Sequence, residues 1–377
     1  MKPCIFEPMF GLQALQINHF KNCEDTTLTF SLQVNCLTGK NGSGKTNLLD
    51  AIYYLSFTRS FFHTPDQQII QHEANYLRVE GLYNRNELEE KVVIALQKGE
   101  KKSLKVNNNE VRKFADHIGQ YPLVMITPND IMLIHEGSEE RRKFLDGMIA
   151  QTDKVYLNNL LSYNRTLEQR NRQLKDFAES GNFDQTLLAS YNDQLIRYGD
   201  AIHAKRSAFL QEFIPVFRSY YLTISSSTEV VNLIYESELN SNSMTHLLQQ
   251  SESNDLAAQR TTKGIHKDEL VFEIDGYALK KVGSQGQQKT FIIALKLAQF
   301  AYLNQQLGIK PLLLLDDIFE KLDGERLKKL LHMIGHDDFG QIFITDTDLE
   351  RLQMIFTLMP QVGVKYFSVN QGTIHEL

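Results

Sequence analysis

The segment that most constrains the fold of this chain is an unbroken phosphate-binding loop, Gly39-Lys40-Asn41-Gly42-Ser43-Gly44-Lys45-Thr46. The alternating residues 28–37 before it predict a strand, and residues 47–55 after it carry apolar residues at helical spacing. A G-x-x-x-x-G-K-[ST] pattern between a strand and a helix is typical of loops whose backbone N–H groups surround a triphosphate. The sequence therefore predicts a nucleoside triphosphate site over residues 39–46.

Each residue type in this loop has a physical role. The glycines let the backbone curl, because glycine adopts left-handed conformations without steric cost. The positive end of the following helix dipole lies beneath the phosphates. Lys45 is predicted to bridge the β- and γ-phosphates as a catalytic cation, and the Thr46 hydroxyl is predicted to ligate Mg²⁺.

A second half of the site is predicted at Leu312-Leu313-Leu314-Leu315-Asp316-Asp317. An apolar run ending in acids is typical of a strand buried in a parallel sheet, whose tip delivers carboxylates to a site. Asp316 is predicted to hold Mg²⁺, and Asp317 to act catalytically by polarising the attacking water. Two acids after four leucines are often only a strand end, but the intact phosphate loop favours the functional interpretation.

A third candidate segment, Gly283-Ser284-Gln285-Gly286-Gln287-Gln288, precedes a strong helical pattern at residues 291–298. A serine and a glycine before a helix predict an anion-binding N-terminus, so Ser284, Gly286 and Gln287 are candidate nucleotide-binding residues. The alternative is a serine-capped helix with no ligand.

Composition bounds the class of protein. With 377 residues, 42% of them hydrophobic, the chain is long enough for two or three domain-sized units. The net charge of −6 gives no indication of nucleic-acid binding. Cys4, Cys23 and Cys36 form no C-x-x-C pair, which is typical of a reducing compartment. No apolar run is long enough to span a bilayer, so we expect a soluble cytoplasmic protein with no membrane association.

The pattern predicts the following organisation along the chain. Residues 1–8 are expected to be a disordered or mis-assigned extension, 9–137 the first ATPase part, 138–235 a helical lobe, 236–262 a flexible connection and 263–377 the second ATPase part. Strands between residues 76 and 106 predict an antiparallel β region. Its basic tip, 98–105, is expected to be a solvated hairpin end, with DNA contact as the alternative.

The helical lobe is predicted to be an antiparallel hairpin. Leu160, Leu167 and Leu174 recur every seven residues, residues 181–184 break the pattern, and apolar spacing then resumes. Arms of about forty residues at most reach roughly 60 Å, so no long coiled coil is expected. The basic residues between the apolar stripes are expected to lie on a solvated face: Arg165, Arg170, Arg172 and Lys175.

Together, residues 39–46, 284–288, 312–317 and Lys321-Leu322-Asp323 resemble the ABC-type ATPase heads, with Walker A, signature, Walker B and D-loop in order. From Phe10 onward the chain is similar to the RecF family of bacterial recombination mediators. The segments that carry this resemblance are 15–22, 127–131, 141–146, 264–269 and 283–288. The implied fold is an α/β P-loop ABC-type ATPase head with an antiparallel β subregion and an inserted helical hairpin lobe.

The resemblance also implies a mechanism. Two heads dimerise with ATP and Mg²⁺ between the phosphate loop of one protomer and the signature segment of the other, so that Ser284 and Gly286 act in trans. Nucleotide state then controls binding to single-stranded DNA and to gapped double-stranded DNA. Partners implied by the family are RecO- and RecR-like mediators and a RecA-like recombinase. The alternatives are the ATP-hydrolysing subunit of a membrane transporter and a metabolic P-loop kinase.

Three positions depart from the wider ATPase pattern. Asp317 stands where transporter heads carry a catalytic glutamate, Thr345-Asp346-Thr347 replaces the switch histidine, and Pro128-Asn129-Asp130 stands in place of the usual Q-loop glutamine. The first two departures predict slow, regulated hydrolysis.

Overall fold

The computed structural model describes residues 10–23, 25–225, 227–319, 324–335 and 339–377. The predicted extension at 1–8 and the predicted D-loop, Lys321-Leu322-Asp323, lie outside the described residues. The strands are β1 (Phe10–Asn18), β2 (Thr26–Thr29), β3 (Val34–Thr38), β4 (Tyr76–Arg85), β5 (Leu88–Gln97), β6 (Ser103–Val106), β7 (Asn109–Glu110), β8 (Leu123–Ile126), β9 (Val231–Glu236), β10 (Glu269–Ile274), β11 (Tyr277–Ala278), β12 (Leu312–Leu315), β13 (Ile342–Asp346), β14 (Val364–Asn370) and β15 (Thr373–Glu376).

The α-helices are α1 (Lys45–Phe57), α2 (Asp66–Ile69), α3 (Phe114–His117), α4 (Met132–His135), α5 (Ser138–Thr152), α6 (Lys154–Ser180), α7 (Gln185–Ser225), α8 (Met244–Ala258), α9 (Leu279–Val282), α10 (Gln285–Leu307), α11 (Gly324–Gly335) and α12 (Leu349–Thr357). Short 3₁₀ turns occupy Pro128–Ile131, Glu238–Asn240 and Ile265–Lys267. The chain forms two compact units. Unit 1 comprises the described residues of Met1–Asp130, Thr223–Ser226 and Ile292–Leu377, and unit 2 those of Ile131–Leu222 and Ser227–Phe291.

Unit 1 is built on two sheets. One has the order β15-β14-β3-β13-β12-β8 and is parallel except for the edge strand β15. Every residue of β3, β8, β12 and β13 is buried, as expected for strands covered on both faces. The other sheet is antiparallel, with the order β2-β1-β4-β5-β6-β7. Helix α1 contacts strands of both sheets, and one apolar core joins all three.

The strand predicted over residues 28–37 is two strands in different sheets, which corrects that prediction. Between β2 and β3 the Ser31 N–H donates to Asn35 Oδ1 (2.8 Å), and Asn35 Nδ2 donates back to the Ser31 carbonyl (2.8 Å). These two bonds stabilise a turn, because an asparagine side chain can satisfy nearby backbone groups. The apolar alternation of residues 28–37 continues across this turn, so periodicity alone does not show that β2 ends and β3 begins within the segment.

Unit 2 contains the predicted helical hairpin. Helix α6 ends at Ser180, Gly181 caps it in a left-handed conformation (φ 69°), and α7 begins at Gln185, so the predicted break at 181–184 is confirmed. Helix α7 has 41 residues, which corresponds to roughly 60 Å. The remainder of unit 2 includes α5, α8 and the antiparallel sheet β11-β10-β9.

Two predictions about unit 2 differ from the structure. The segment predicted as a flexible connection, 236–262, contains α8, and Arg170, predicted on a solvated face, is fully buried. These errors share one cause: Arg170 Nη1 lies 2.8 Å from Asp255 Oδ2 within α8, and both side chains are completely buried. The boundary predicted at residue 263 also differs, because residues 263–291, including the signature segment, belong to unit 2.

Candidate nucleotide site

The phosphate-binding loop joins β3 to α1, as predicted. Gly39 must be glycine, because an added Cβ would lie 2.2 Å from the Val369 carbonyl oxygen. Gly44 has φ 113° and precedes the first residue of α1 without a side-chain cap. The first-turn N–H groups of α1 therefore lack a side-chain acceptor from the N-cap residue, which is the state in which a helix end binds an anion.

Two polar side chains of this loop, Lys45 and Ser43, are buried. Lys45 is 4% exposed, and its ammonium donates to the carbonyls of Gly39 (2.8 Å) and Lys40 (3.3 Å). The Ser43 hydroxyl is buried and has no hydrogen-bond partner among the described residues. Lys40, Asn41 and Gly42 are exposed, so the loop is open to solvent along its middle. A charged amine and an unsatisfied hydroxyl inside a curled loop fit a phosphate ligand.

The sheet brings the predicted acids to this loop. Strand β13 lies between β3 and β12, so the loop after β3 and the acids after β12 lie at the same sheet edge. Thr46 Oγ1 lies 3.0 Å from both carboxylate oxygens of Asp316. Burial raises the pKa of Asp316, and the neighbouring Asp317 adds to this, while hydrogen bonds from Thr345 and Thr46 oppose it. The predicted metal ligands, Thr46 and Asp316, are therefore in contact.

Asp317 has an unusual backbone next to this contact. Its φ is 46°, in the left-handed region that residues other than glycine rarely adopt. The Asp317 N–H donates to Thr345 Oγ1 (2.9 Å), and Thr345 Oγ1 donates to Asp316 Oδ1 (2.8 Å). Thr345 is fully buried at the end of β13. The sequence marked this position only by the missing switch histidine, so the role of its hydroxyl was missed.

The signature residues form a capping box at the start of α10 in unit 2. The Gln287 N–H donates to Ser284 Oγ (3.2 Å), and the Ser284 N–H donates to Gln287 Oε1 (2.7 Å). Gln287 Nε2 also donates to Glu229 Oε1 (2.7 Å). Ser284 is exposed and Gly286 is partly exposed. The serine-cap alternative thus describes these residues within one chain, and their contact with a nucleotide stays a prediction.

The segment that replaces the Q-loop is tied down by an ion pair. Lys296 Nζ lies 2.6 Å from Asp130 Oδ1 and donates to the Met125 carbonyl (3.0 Å). Asp130 also accepts the Thr127 N–H (2.7 Å). Both charged side chains are buried, and Asp130 holds the segment that follows β8 in place through Lys296 and Thr127.

Three basic side chains, two in α5 and one at the hairpin tip, have partners within the chain. Arg141 pairs with Glu269 (2.7 Å), and Arg142 donates to the Asp268 carbonyl (2.6 Å). Lys102 pairs with Asp66 (2.6 Å) in a groove of about 590 Å³ beside the basic hairpin tip. Three basic and three acidic residues line that groove, so its charge does not favour DNA: Lys101, Lys102, Arg112, Asp66, Glu100 and Glu110.

Comparison with known proteins identifies the family. The chain matches the RecF/RecN/SMC N terminal domain family over residues 11–372. It is 47% identical over 344 residues to the DNA replication and repair protein RecF of Flavobacterium johnsoniae, covering 91% of this chain and 96% of that protein. The chain belongs to the RecF family. RecF of Phocaeicola vulgatus is 43% identical over 367 residues, covering 97% of this chain and 98% of that protein.

Solved RecF structures share the whole fold. The recombination mediator protein RecF-ATPrS of the RecFOR pathway matches with a TM-score of 0.89 and 30% identity, covering 98% of this chain and 99% of that chain. The RecF-ATP structure gives the same TM-score and identity, with 98% of each chain covered. An Smc head domain from Pyrococcus furiosus, at 17% identity and TM-score 0.55, shares the fold, covering 98% of this chain and 96% of that chain. The predicted ATPase-head fold with its helical insert is confirmed.

Membership of the RecF family makes this a DNA replication and repair protein, and the alternative of a transporter subunit is wrong. Across the part of the chain that the structure describes, no helix has the length and apolar character needed to span a bilayer.

Proposed function

We propose that this RecF-family protein binds ATP with Mg²⁺ and dimerises on it to act as a DNA-binding recombination mediator. The observation that carries the proposal is the contact between Thr46 and Asp316, beside a phosphate loop in which Lys45 is buried and the buried Ser43 hydroxyl has no partner among the described residues. The similarity to the RecF-ATP and RecF-ATPrS structures supports ATP as the nucleotide.

The donor set suits Mg²⁺. A hydroxyl and a carboxylate oxygen, supplied here by Thr46 and Asp316, are hard ligands of the kind this ion takes. Within the described ranges no group of three or more His, Cys, Asp or Glu side chains could hold a metal. That agrees with an ion that keeps waters and substrate oxygens as ligands. The bound ion would neutralise charge on the phosphates, while Lys45 binds them and Asp317 orients the attacking water.

Two half-sites make up the proposed dimer. Residues 39–46 and Asp316 bind the nucleotide of their own protomer, and Ser284, Gly286 and Gln287 contact the nucleotide of the other. Ser284 is exposed at the N-terminus of α10, a 23-residue helix whose end favours anions. Slow, DNA-stimulated hydrolysis would remove the γ-phosphate contacts and open the dimer.

The proposed substrates are single-stranded DNA and gapped double-stranded DNA, and the proposed site of action is the bacterial cytoplasm. Relatives in the RecFOR pathway support RecO- and RecR-like partners, with loading of a RecA-like recombinase as the outcome.

The test combines two measurements on the full chain. Fluorescence anisotropy with a gapped DNA duplex should show tighter binding with ATP and Mg²⁺ than without. Analytical ultracentrifugation should show a dimer that appears only with ATP. A protein that remains monomeric at every ATP concentration, or that binds gapped DNA equally with and without ATP, contradicts the proposal.

A further inference from the structure

A buried hydroxyl joins the two acids that follow β12. Thr345 Oγ1 lies 2.8 Å from Asp316 Oδ1, 2.9 Å from the Asp317 backbone nitrogen and 3.4 Å from Asp317 Oδ1. Thr345 is fully buried. Strand β13 therefore contributes a side chain to the nucleotide site in addition to separating β3 from β12.

The hydrogen count fixes the direction of these bonds. A threonine hydroxyl has one hydrogen to donate and lone pairs to accept. The Asp317 N–H is a donor, so Thr345 accepts from it and gives its own hydrogen to the Asp316 carboxylate. Thr46 also donates to the Asp316 carboxylate. A continuous chain of hydrogen bonds thus runs from Thr46 through Asp316 and Thr345 to the backbone of Asp317.

The end of this chain is the strained point of the site. Asp317 holds a left-handed φ of 46°, which an aspartate keeps only where its surroundings hold it. The direction of the Asp317 carboxylate follows from that backbone conformation. The bond from its N–H to Thr345 is a partly buried contact that a valine in place of Thr345 could not make.

We infer that Thr345 is a positioning residue for ATP hydrolysis, because its hydroxyl fixes the backbone of Asp317 and so aims the carboxylate at the attacking water. This inference rests on the proposed ATPase function. Thr345 would act through Asp317 and would not touch the nucleotide. Thr345 lies in the stretch where transporter heads have a switch histidine. In this chain the attacking water would therefore be positioned by Asp317, the residue after the Walker B aspartate.

The test compares Thr345→Val with Thr345→Ser. Valine has nearly the same shape but no hydroxyl, whereas serine keeps the hydroxyl and loses a methyl group. A misplaced catalytic group commonly costs about tenfold to a hundredfold in rate, so we expect the kcat of Thr345→Val to fall by about tenfold or more. The KM for ATP should stay within about twofold, since no nucleotide contact is lost. Thr345→Ser should recover most of the kcat.

The matched control is Thr166→Val. Thr166 is also buried, at 3% exposure, and its hydroxyl contacts Gln194 (3.3 Å) within the helical hairpin. The Thr166→Val variant should have a lower free energy of unfolding in urea and the wild-type kcat.

Three outcomes decide the matter. A fall in kcat for valine that serine reverses supports the inference. A wild-type kcat in folded Thr345→Val overturns the inference. It is also overturned if the kcat falls equally in Thr345→Val and Thr345→Ser and the fall follows their urea midpoints. Either result leaves the ATPase proposal standing. Absence of DNA-stimulated ATP hydrolysis in the wild-type protein overturns both.

Discussion

Arg170 and Asp255 form an ion pair in which both side chains are fully buried, with Arg170 Nη1 2.8 Å from Asp255 Oδ2. Arg170 also donates to Thr261 Oγ1 (2.7 Å), and Asp255 accepts the Thr262 N–H (2.8 Å). The pair ties α8 and the segment after it to α6. A buried charge is stable only when it is paired and hydrogen-bonded, so this contact explains why the polar segment 236–262 is folded.

Removing one partner of this pair should destabilise the protein strongly. Arg170→Met leaves the Asp255 carboxylate buried without its cation, which typically costs about 3–5 kcal/mol. Urea unfolding followed by circular dichroism should show that loss in the free energy of unfolding. Arg165→Met on the exposed face of the same helix is the control and should change it by less than about 0.5 kcal/mol. Equal midpoints for the two variants would contradict the structural role of the pair.

Lys45→Ala should abolish ATP-dependent dimerisation. The Lys45 ammonium lies inside the curve of the phosphate loop and is 4% exposed, so it is placed to contact the β- and γ-phosphates. Sedimentation at saturating ATP should show a monomer for this variant and a dimer for the wild type. Lys105→Ala, an exposed lysine of β6, should dimerise normally. Dimerisation of Lys45→Ala at saturating ATP would refute the assignment.

Local patterns made half of the site predictable. The loop at 39–46 and the acids Asp316 and Asp317 each lie in a short stretch whose residue types and periodicity carry the signal. The order of the parallel strands then brings these two segments together, because the residues that follow β3 and β12 lie at the same edge of the sheet. This is why Thr46 and Asp316 could be paired from sequence alone.

Contacts between distant residues of common types were not predictable. Thr345 meets Asp316 across 29 positions and Arg170 meets Asp255 across 85, and neither threonine nor arginine is unusual at such places. The seven-residue spacing picks out Leu160, Leu167 and Leu174, of which only Leu174 is fully buried. The buried face of α6 also includes Tyr163, Arg170 and Phe177. A charged residue on that face was assigned to solvent because its partner could not be identified.

Ser284→Arg should separate nucleotide binding from dimerisation. In the proposed dimer the signature segment contacts the nucleotide of the other protomer, so a bulky cation there blocks closure while the phosphate loop still binds ATP. A fluorescent ATP analogue should bind with nearly wild-type affinity, and sedimentation should show a monomer. The variant also loses an N-cap, worth about 1 kcal/mol.

Ser243→Arg is the control for that lost cap, because Ser243 caps α8 through the His246 N–H (3.2 Å). It should dimerise on ATP like the wild type. If Ser284→Arg hydrolyses ATP at the wild-type rate, the trans geometry is wrong.

Stability should fall with acid because of His266. In the neutral ring the Nε2–H donates to the Thr261 carbonyl (3.2 Å) and Nδ1 accepts from the Tyr163 hydroxyl (2.9 Å). Burial lowers the pKa of His266 to about 4, below the ordinary value of 6.5. The unfolded chain therefore binds more protons between these two values, and the free energy of unfolding decreases as pH falls from 6.5 towards 4. The loss reaches up to about 1.4 kcal/mol per pH unit.

Urea unfolding at several pH values between 4.5 and 7 measures this effect. His266→Gln keeps one donor and one acceptor but does not titrate, so its free energy of unfolding should decrease less steeply than that of the wild type as the pH falls. His72→Gln, a substitution at an exposed histidine (97% exposed side chain), should follow the wild-type slope. Because carboxylates also titrate in this range, the difference between the slopes of wild type and His266→Gln isolates the histidine. Parallel slopes would show that His266 is not held neutral in the folded protein.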